Sequence, residues 1–282
     1  MSASGESTAR SKVKANRYAQ MIERVFLDSY KAGSHSVDFT RDQLGAVAGN
    51  LKIALPKNLG DTLYAFRYRV GLPQAVLDCQ PDGLEWAIFP NGPSKYRFAA
   101  VPFATIAPTR GLTVTKIPDA TPGLIEKYSL NDEQALLAKL RYNRLLDIYT
   151  GVTSYSLQNH LRTAIAEGQL ETDEVYVGVD RRGAHYVFPI QAKGGSDHLS
   201  VVQIWQDFKM CAKKFPDLIA RPIAAQFLAG DVIALFFFEW DGGDGITIAP
   251  GAERHYKLVS PEDLSDAELA AYARRPIRAR SR

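Results

Sequence analysis

Apolar residues recur three and four positions apart in residues 16–31, where Met21, Ile22, Val25, Phe26 and Tyr30 fall on one side of an amphipathic helix. After Ala32-Gly33-Ser34 the pattern restarts. Thr40 can N-cap a helix running to about Ala48, with Gln43 completing a capping box, and a further helix is expected over residues 58–70. Residues 85–89 and 95–99 read as strands around Pro90-Asn91-Gly92-Pro93. Asp132 and Glu133 place acids in the first turn of a long helix expected from 131 to about Tyr149, and another helix is expected to end near Glu167. Two strands then flank a tight turn at Asp180-Arg181-Arg182-Gly183, while residues 169–173 either add a short strand or bend into the first of the two. A helix over 199–215 carries Val202, Trp205 and Phe208 on one face. Strands over 221–227 and 232–240, joined at Ala229-Gly230-Asp231, complete the pattern.

The turn allows a register to be derived. Asp180 at position i and Gly183 at i+3 fit a type I turn closed by a left-handed glycine bulge. If Asp180 faces Ala184, then Asp173 lies opposite Gln191 and Glu171 opposite Lys193. Period-two alternation puts Glu171, Asp173, Gln191 and Lys193 on one face at one end of the hairpin. A one-residue slip would exchange Asp173 for Glu174. Carboxylates so placed can hold a hard divalent cation, and a lysine beside them can stabilise charge developing on a phosphate. That is the chemistry of phosphodiester hydrolysis. The bland alternative is a hairpin whose charged end is simply solvated.

The hairpin, with an acid at the start of one strand and Gln191-Ala192-Lys193 at the end of the next, resembles the PD-(D/E)XK nuclease superfamily. The wider phrase from Tyr142 to Gln206 strengthens the likeness. It includes Tyr142-Asn143-Arg144-Leu145-Leu146-Asp147, Ser156-Leu157-Gln158-Asn159-His160-Leu161-Arg162, Pro189-Ile190-Gln191-Ala192-Lys193-Gly194-Gly195 and Val201-Val202-Gln203. Together these are similar to restriction-endonuclease-like proteins with a Gln-x-Lys site. The resemblance implies Asp173, Gln191 and Lys193 as catalytic residues, with metal held by Asp173 and the Ala192 backbone carbonyl. It also implies Mg²⁺ or Mn²⁺ as cofactor, and Gln203 pointing back toward the site. Gln191 stands where most members carry a carboxylate, so the missing charge would come from Glu167, Glu171 or Glu174. The superfamily core runs helix, three strands, helix, strand, of which the pattern makes two of the three strands clear.

Upstream, the helices over 40–48 and 58–70 with a short connection resemble a helix-turn-helix, and the strands around residues 90–93 resemble a wing. Lys52, Lys57, Arg67 and Arg69 stand against Asp61 alone in residues 52–69, interleaved with Tyr64, Phe66 and Tyr68. Such a basic, aromatic helix can enter a major groove, which makes these four cations the candidate DNA-binding residues. A small helical domain with a solvated basic face is the alternative. The expected fold is therefore α/β (α+β), with a winged helix followed by a restriction-endonuclease-like core of mixed sheet flanked by helices. The divisions are a tail over 1–15, the winged helix over 16–108, a Thr- and Pro-rich linker over 109–130, the nuclease-like domain over 131–259, and a C-terminal helix with an arginine-rich tail over 260–282.

Composition narrows the functional classes. The 282 residues, 46% of them hydrophobic, supply core enough for two domains. Two cysteines, Cys79 and Cys211, and no clustered histidines argue against a zinc site or disulfide framework. No glycine-rich phosphate loop suggests ATP dependence. No signal-like apolar stretch is visible, and the expectation is a cytoplasmic protein without membrane contact. A net charge of +3 is compatible with nucleic acid. The leading expectation is a Mg²⁺-dependent, sequence-specific double-stranded DNA endonuclease of restriction type, working as a homodimer beside a companion DNA methyltransferase. The alternatives are a catalytically inactive DNA-binding protein on a nuclease fold and a repair or junction nuclease.

Overall fold

The computed structural model describes residues 17–55, 58–128, 133–194 and 197–275, so Lys57 lies outside the described residues. The chain begins with α1 (Arg17–Ser29), β1 (Ser36–Thr40), α2 (Arg41–Asn50), α3 (Leu59–Tyr68), α4 (Gln74–Leu77), β2 (Glu85–Pro90) and β3 (Lys95–Val101). The three strands form an antiparallel sheet in the order β1-β3-β2. Thr40 and Gln43 make the expected capping box at the start of α2, satisfying amides that have no partner inside the helix. Asn58 caps α3 by accepting from the Gly60 amide. α1 turns Met21, Ile22, Val25 and Phe26 inward. There Phe26 meets Trp86 and Phe98 edge-on, at centroid distances of 5.2 and 5.0 Å.

The larger part follows as β4 (Thr105–Ile106), β5 (Val114–Pro118), α5 (Gly123–Tyr128), α6 (Glu133–Tyr142), α7 (Leu145–Thr150), β6 (Thr153–Ile165), β7 (Gly168–Val179), β8 (His185–Lys193), β9 (Leu199–Ser200) and α8 (Val201–Lys214). It ends with β10 (Ile219–Ala220), β11 (Ile223–Leu228), β12 (Val232–Trp240), β13 (Ile246–Ile248), β14 (Arg254–Val259) and α9 (Asp266–Ala273). The main sheet runs β5-β14-β12-β11-β8-β7-β6. It is mixed, because β8 is antiparallel to β7 but parallel to β11, and β14 is parallel to β5.

Alternation along β8 assigns the two faces of this sheet. Phe188 and Ile190 pack with Leu136, Leu137, Leu140, Leu145 and Leu146 of α6 and α7. Val187 packs the other way, with Val202, Trp205 and Phe208 of α8. Each fully buried side chain of this size is worth about 1.5–3 kcal/mol. The β2–β3 hairpin is buried on both sides: Trp86, Ile88 and Phe98 face the α1–α3 core, while Ala87, Phe89, Ala99 and Val101 face α8. Phe89 meets Trp205 edge-on at 5.3 Å. The amino-terminal unit and the main sheet therefore share one apolar core through α8.

Several elements differ from what the sequence pattern predicts. The helix expected to end near Glu167 is the strand β6, paired along its length with β7 through a turn at Ala166 and Glu167. Pairing with a long neighbour outweighs the local pattern there, and Leu161 and Ile165 fill the α8 side. Residues 169–173 are the first half of β7 and not a separate strand. The helix expected from 131 to 149 breaks into α6 and α7 at Arg144, whose φ is 48°. Asn143 beside the break receives the Ala120 amide on its side-chain oxygen and donates to Asp119 and Thr121. The segment expected to be a linker is thereby built into the fold, and its β5 forms the sheet edge beside β14. Of the C-terminal arginines, Arg275 donates to Thr115 and stacks on Tyr272. Among the described residues no helix is long and apolar enough to cross a membrane.

Gly178 in β7 lies where a Cβ would stand 2.8 Å from the Thr153 carbonyl oxygen and 2.9 Å from Val152. Gly178→Ala is expected to lower stability by about 1–3 kcal/mol through overpacking. Urea unfolding measures this, and an unchanged midpoint would show that β6 can move aside freely.

Candidate functional site

β7 and β8 pair from Val179 with His185 down to Glu174 with Ile190, the register set by the Asp180 turn. The Asp180 carboxylate accepts the Arg182 and Ala184 amides, and Gly183 takes φ 81°. Past Glu174 the strands part. β8 goes on with β11, aligning Gln191 with Ala224 and Lys193 with Gln226, while β7 stays with β6. In the gap the Ala192 amide donates to Asp173 Oδ2 at 2.8 Å, where a continued ladder would use a backbone carbonyl. The Gln191 side chain spans the same gap, donating to the Glu171 carbonyl at 3.3 Å.

The alternation of β7 also resets here. Thr172 reaches Asp207 on α8, whereas Glu174, two residues on, reaches Arg141 on α6. Opposite this point β6 carries His160 at φ 47°, a backbone state unusual outside glycine. Asp173 therefore sits at an irregularity where its carboxylate turns into the gap between strands.

Lys193 approaches Asp173 from β8, and its Nζ lies 2.6 Å from Glu133 Oε1 at the start of α6. Burial raises the Asp173 carboxyl above its usual range; the Ala192 amide and Lys193 oppose that rise, and Glu133 adds to it. His160 is close enough to act on the same carboxylate. Asp173, Lys193 and Glu133 thus form one partly buried group contributed by β7, β8 and α6.

The other acids expected near the site are held elsewhere. Glu174 is wholly buried, paired with Arg141 at 2.7 Å and accepting from Ser156 at 2.5 Å. Glu171 is exposed and paired with Arg162 and His160 on β6. Glu167 pairs with Lys209 at the far end of the β6–β7 hairpin. Gln203 does turn toward the site, donating to Gln191 Oε1 at 3.1 Å.

Behind Gln191 stands Asp207, fully buried, accepting from Gln191 Nε2 at 3.0 Å and from Thr172 Oγ1 at 2.5 Å. Burial pushes its carboxyl up to about 7, against the two hydrogen bonds and with help from the charge of Asp173. Sequence reasoning missed both Glu133, read only as a first-turn acid, and Asp207. The spacing of Gln203 and Asp207, four apart on one helix, was the available signal for the second.

The candidate DNA-binding cations divide. Lys52 and Arg69 are exposed, Lys52 at φ 54° and Arg69 over the Tyr64 ring at 5.1 Å. Arg67 is half-buried between the rings of Tyr68 and Tyr96, and its Nε is enclosed without a hydrogen-bond partner. Tyr68 at the end of α3 donates to Gln206 of α8, tying this helix to the main core. A cavity of about 420 Å³ opens between that end of α3, β2 and β9.

Asp207 generates a pH prediction. Its folded carboxyl titrates near 7 and its unfolded one near 3.8, so the folded chain holds the extra proton between those values. That contribution to stability is full below the lower value and is lost as pH rises through the upper one. Asp207→Asn keeps a donor and an acceptor but cannot ionise. Its stability relative to wild type should therefore climb from pH 4 to 7 and then level off in chemical denaturation. A flat difference would mean Asp207 is ionised throughout.

No family model matches this chain, and no curated protein or solved structure matches it either, so its functional reading rests on the geometry of the site.

Proposed function

We propose that this protein is a Mg²⁺-dependent double-stranded DNA endonuclease of restriction type, built on a PD-(D/E)XK core with an amino-terminal winged helix. The carrying observation is the Asp173 carboxylate bonded to the Ala192 amide where β7 and β8 part, with the Lys193–Glu133 pair close enough to act on it. Apart from the two-residue β9 and β10, the order α6–α7, β6, β7, β8, α8, β11 supports the reading, since it is helix, three strands, helix, strand. Apart from the four-residue α4, the order α1, β1, α2, α3, β2, β3 supports a winged helix in the same way, although its hairpin strands are enclosed by α8.

Among the described residues no three His, Cys, Asp or Glu side chains gather as a ligand cluster. The available donors are the carboxylates of Asp173 and Glu133 and the Ala192 carbonyl. All are oxygens, which suit a hard cation that keeps several waters, and a carboxyl raised by burial beside a second acid favours added positive charge. The donors fit Mg²⁺. When bound, such an ion lowers the pKa of water and screens phosphate charge. Lys193, now paired with Glu133, supplies an ammonium that can turn to a phosphate oxygen and stabilise charge gathering there. Water adds its oxygen to phosphorus, the bond to the leaving sugar oxygen breaks, and that oxygen takes up a proton. Lys52 and Arg69 offer exposed charge for phosphates.

A second reading, a DNA-binding protein without catalysis, is favoured by one observation: Gln191 is engaged at both ends of its amide and adds no charge to the site. Plasmid cleavage with and without Mg²⁺ separates the two. Discrete fragments formed only with the metal are expected, and no cleavage across varied unmethylated substrates would leave the binding reading.

Asp173→Ala and Lys193→Ala should each reduce cleavage by roughly 10²–10⁴-fold while leaving affinity for DNA in Ca²⁺ within a few-fold. Near-normal cutting by Lys193→Ala would overturn its role. In a salt titration of DNA affinity, replacing Lys52 and Arg69 together with alanine should lower the slope by about 2, close to one for each lost phosphate contact. An unchanged slope removes both from the interface.

A further inference from the structure

Gln191 occupies the position where the proposed nuclease reading expects a metal-binding acid, yet both ends of its amide are taken up by neighbours on β7 and α8. Its Nε2 donates to Asp207 Oδ2 at 3.0 Å and to the Glu171 carbonyl, while its Oε1 accepts from Gln203 Nε2 at 3.1 Å. Gln203 is fixed in turn, because its Oε1 receives the Ser200 amide in the capping box that starts α8. Thr172 completes the chain by donating to the other Asp207 oxygen. Gln191 and Asp207 are both buried, at 1% and 0% exposure, so water cannot replace these partners.

We propose that Gln191 is a positioning residue and not a metal ligand: its amide, clamped between Gln203 and buried Asp207, holds Ala192 and Lys193 against Asp173. This rests on the nuclease reading for its catalytic meaning, though the clamp itself does not. The Gln191 amide answers both neighbours, offering a donor to Asp207 and an acceptor to Gln203. A glutamate would put a second acid against Asp207 in an apolar setting, and a leucine would leave Asp207 Oδ2 and the Gln203 amide nitrogen without the partner Gln191 gives them. The departure from a carboxylate at this position follows from the acid on α8. The groups charged or titratable around Asp207 are Asp173 on β7, Tyr68 on α3 and Cys211 on α8 itself. No cation among them offsets a new carboxylate.

The test is a double-mutant cycle on the full chain at pH 8, without metal or DNA, using Gln191→Glu, Asp207→Asn and the pair. Gln191→Glu should lower the urea midpoint clearly, and adding Asp207→Asn should recover most of the loss, because an asparagine amide can donate to the new carboxylate. Additive effects would overturn the clamp. Mn²⁺ binding followed by electron paramagnetic resonance gives the second readout. The double variant should bind Mn²⁺ within about three-fold of wild type, whereas a ligand at 191 would tighten binding about ten-fold or more, which overturns the proposal. If wild type binds no Mn²⁺ at all, the nuclease reading fails, and the cycle alone still decides for or against the clamp.

Discussion

The parting of β7 from β8 is the constraint on which the rest of the site depends. A ladder that simply continued would direct the Ala192 amide to a backbone carbonyl and leave Asp173 an ordinary strand residue. Because the strands separate, that amide must find another acceptor, and the Asp173 carboxylate supplies it. On its other edge β8 continues in parallel pairing with β11, which holds Gln191, Ala192 and Lys193 in the sheet past the break. The separation also opens room for Lys193 to meet Glu133 from the first turn of α6. Sheet topology, and not local sequence, makes the cluster.

Holding that gap open requires rigid surroundings, and the structure supplies them on both faces. On the α6 side, Glu174 is buried with Arg141 and Ser156, so the strand cannot rotate to bring this acid into the site. A buried charge with its partner removed is costly, so this pair favours a single orientation. On the α8 side the chain of Ser200, Gln203, Gln191, Asp207 and Thr172 connects a helix cap to both strands of the gap. Each polar group there is satisfied by another that is itself held.

The amino-terminal unit is bound to this frame more closely than two domains on a linker would be. Trp205 and Phe208 look from α8 toward the main sheet's apolar core, and Phe89 of β2 meets Trp205 in the same cluster. Tyr68 reaches Gln206, one residue before Asp207. The proposed DNA-reading helix thus contacts α8 one residue before Asp207, which holds Gln191.

Residue order alone determined what depends on near neighbours. The Asp180–Gly183 turn fixes its own register through hydrogen bonds spanning four residues, so the pairing of Glu174 with Ile190 was legible, as were the Thr40 capping box and the apolar faces of α1 and α8. Extending the same register beyond Glu174 put Glu171, Asp173, Gln191 and Lys193 on one face, and there it stopped applying. Asp173 meets the Ala192 amide across an unpaired gap, Lys193 turns to Glu133, Gln191 turns to α8, and Glu171 turns to β6. Only tertiary structure decided this, because the course of each strand past Glu174 is set by what holds its other edge and its faces: β6 and Arg141 for β7, β11 and α8 for β8. Glu133 and Asp207 were illegible for the same reason. Each is an ordinary helical acid until a partner some 60 residues away, or a buried amide, gives it a neighbour.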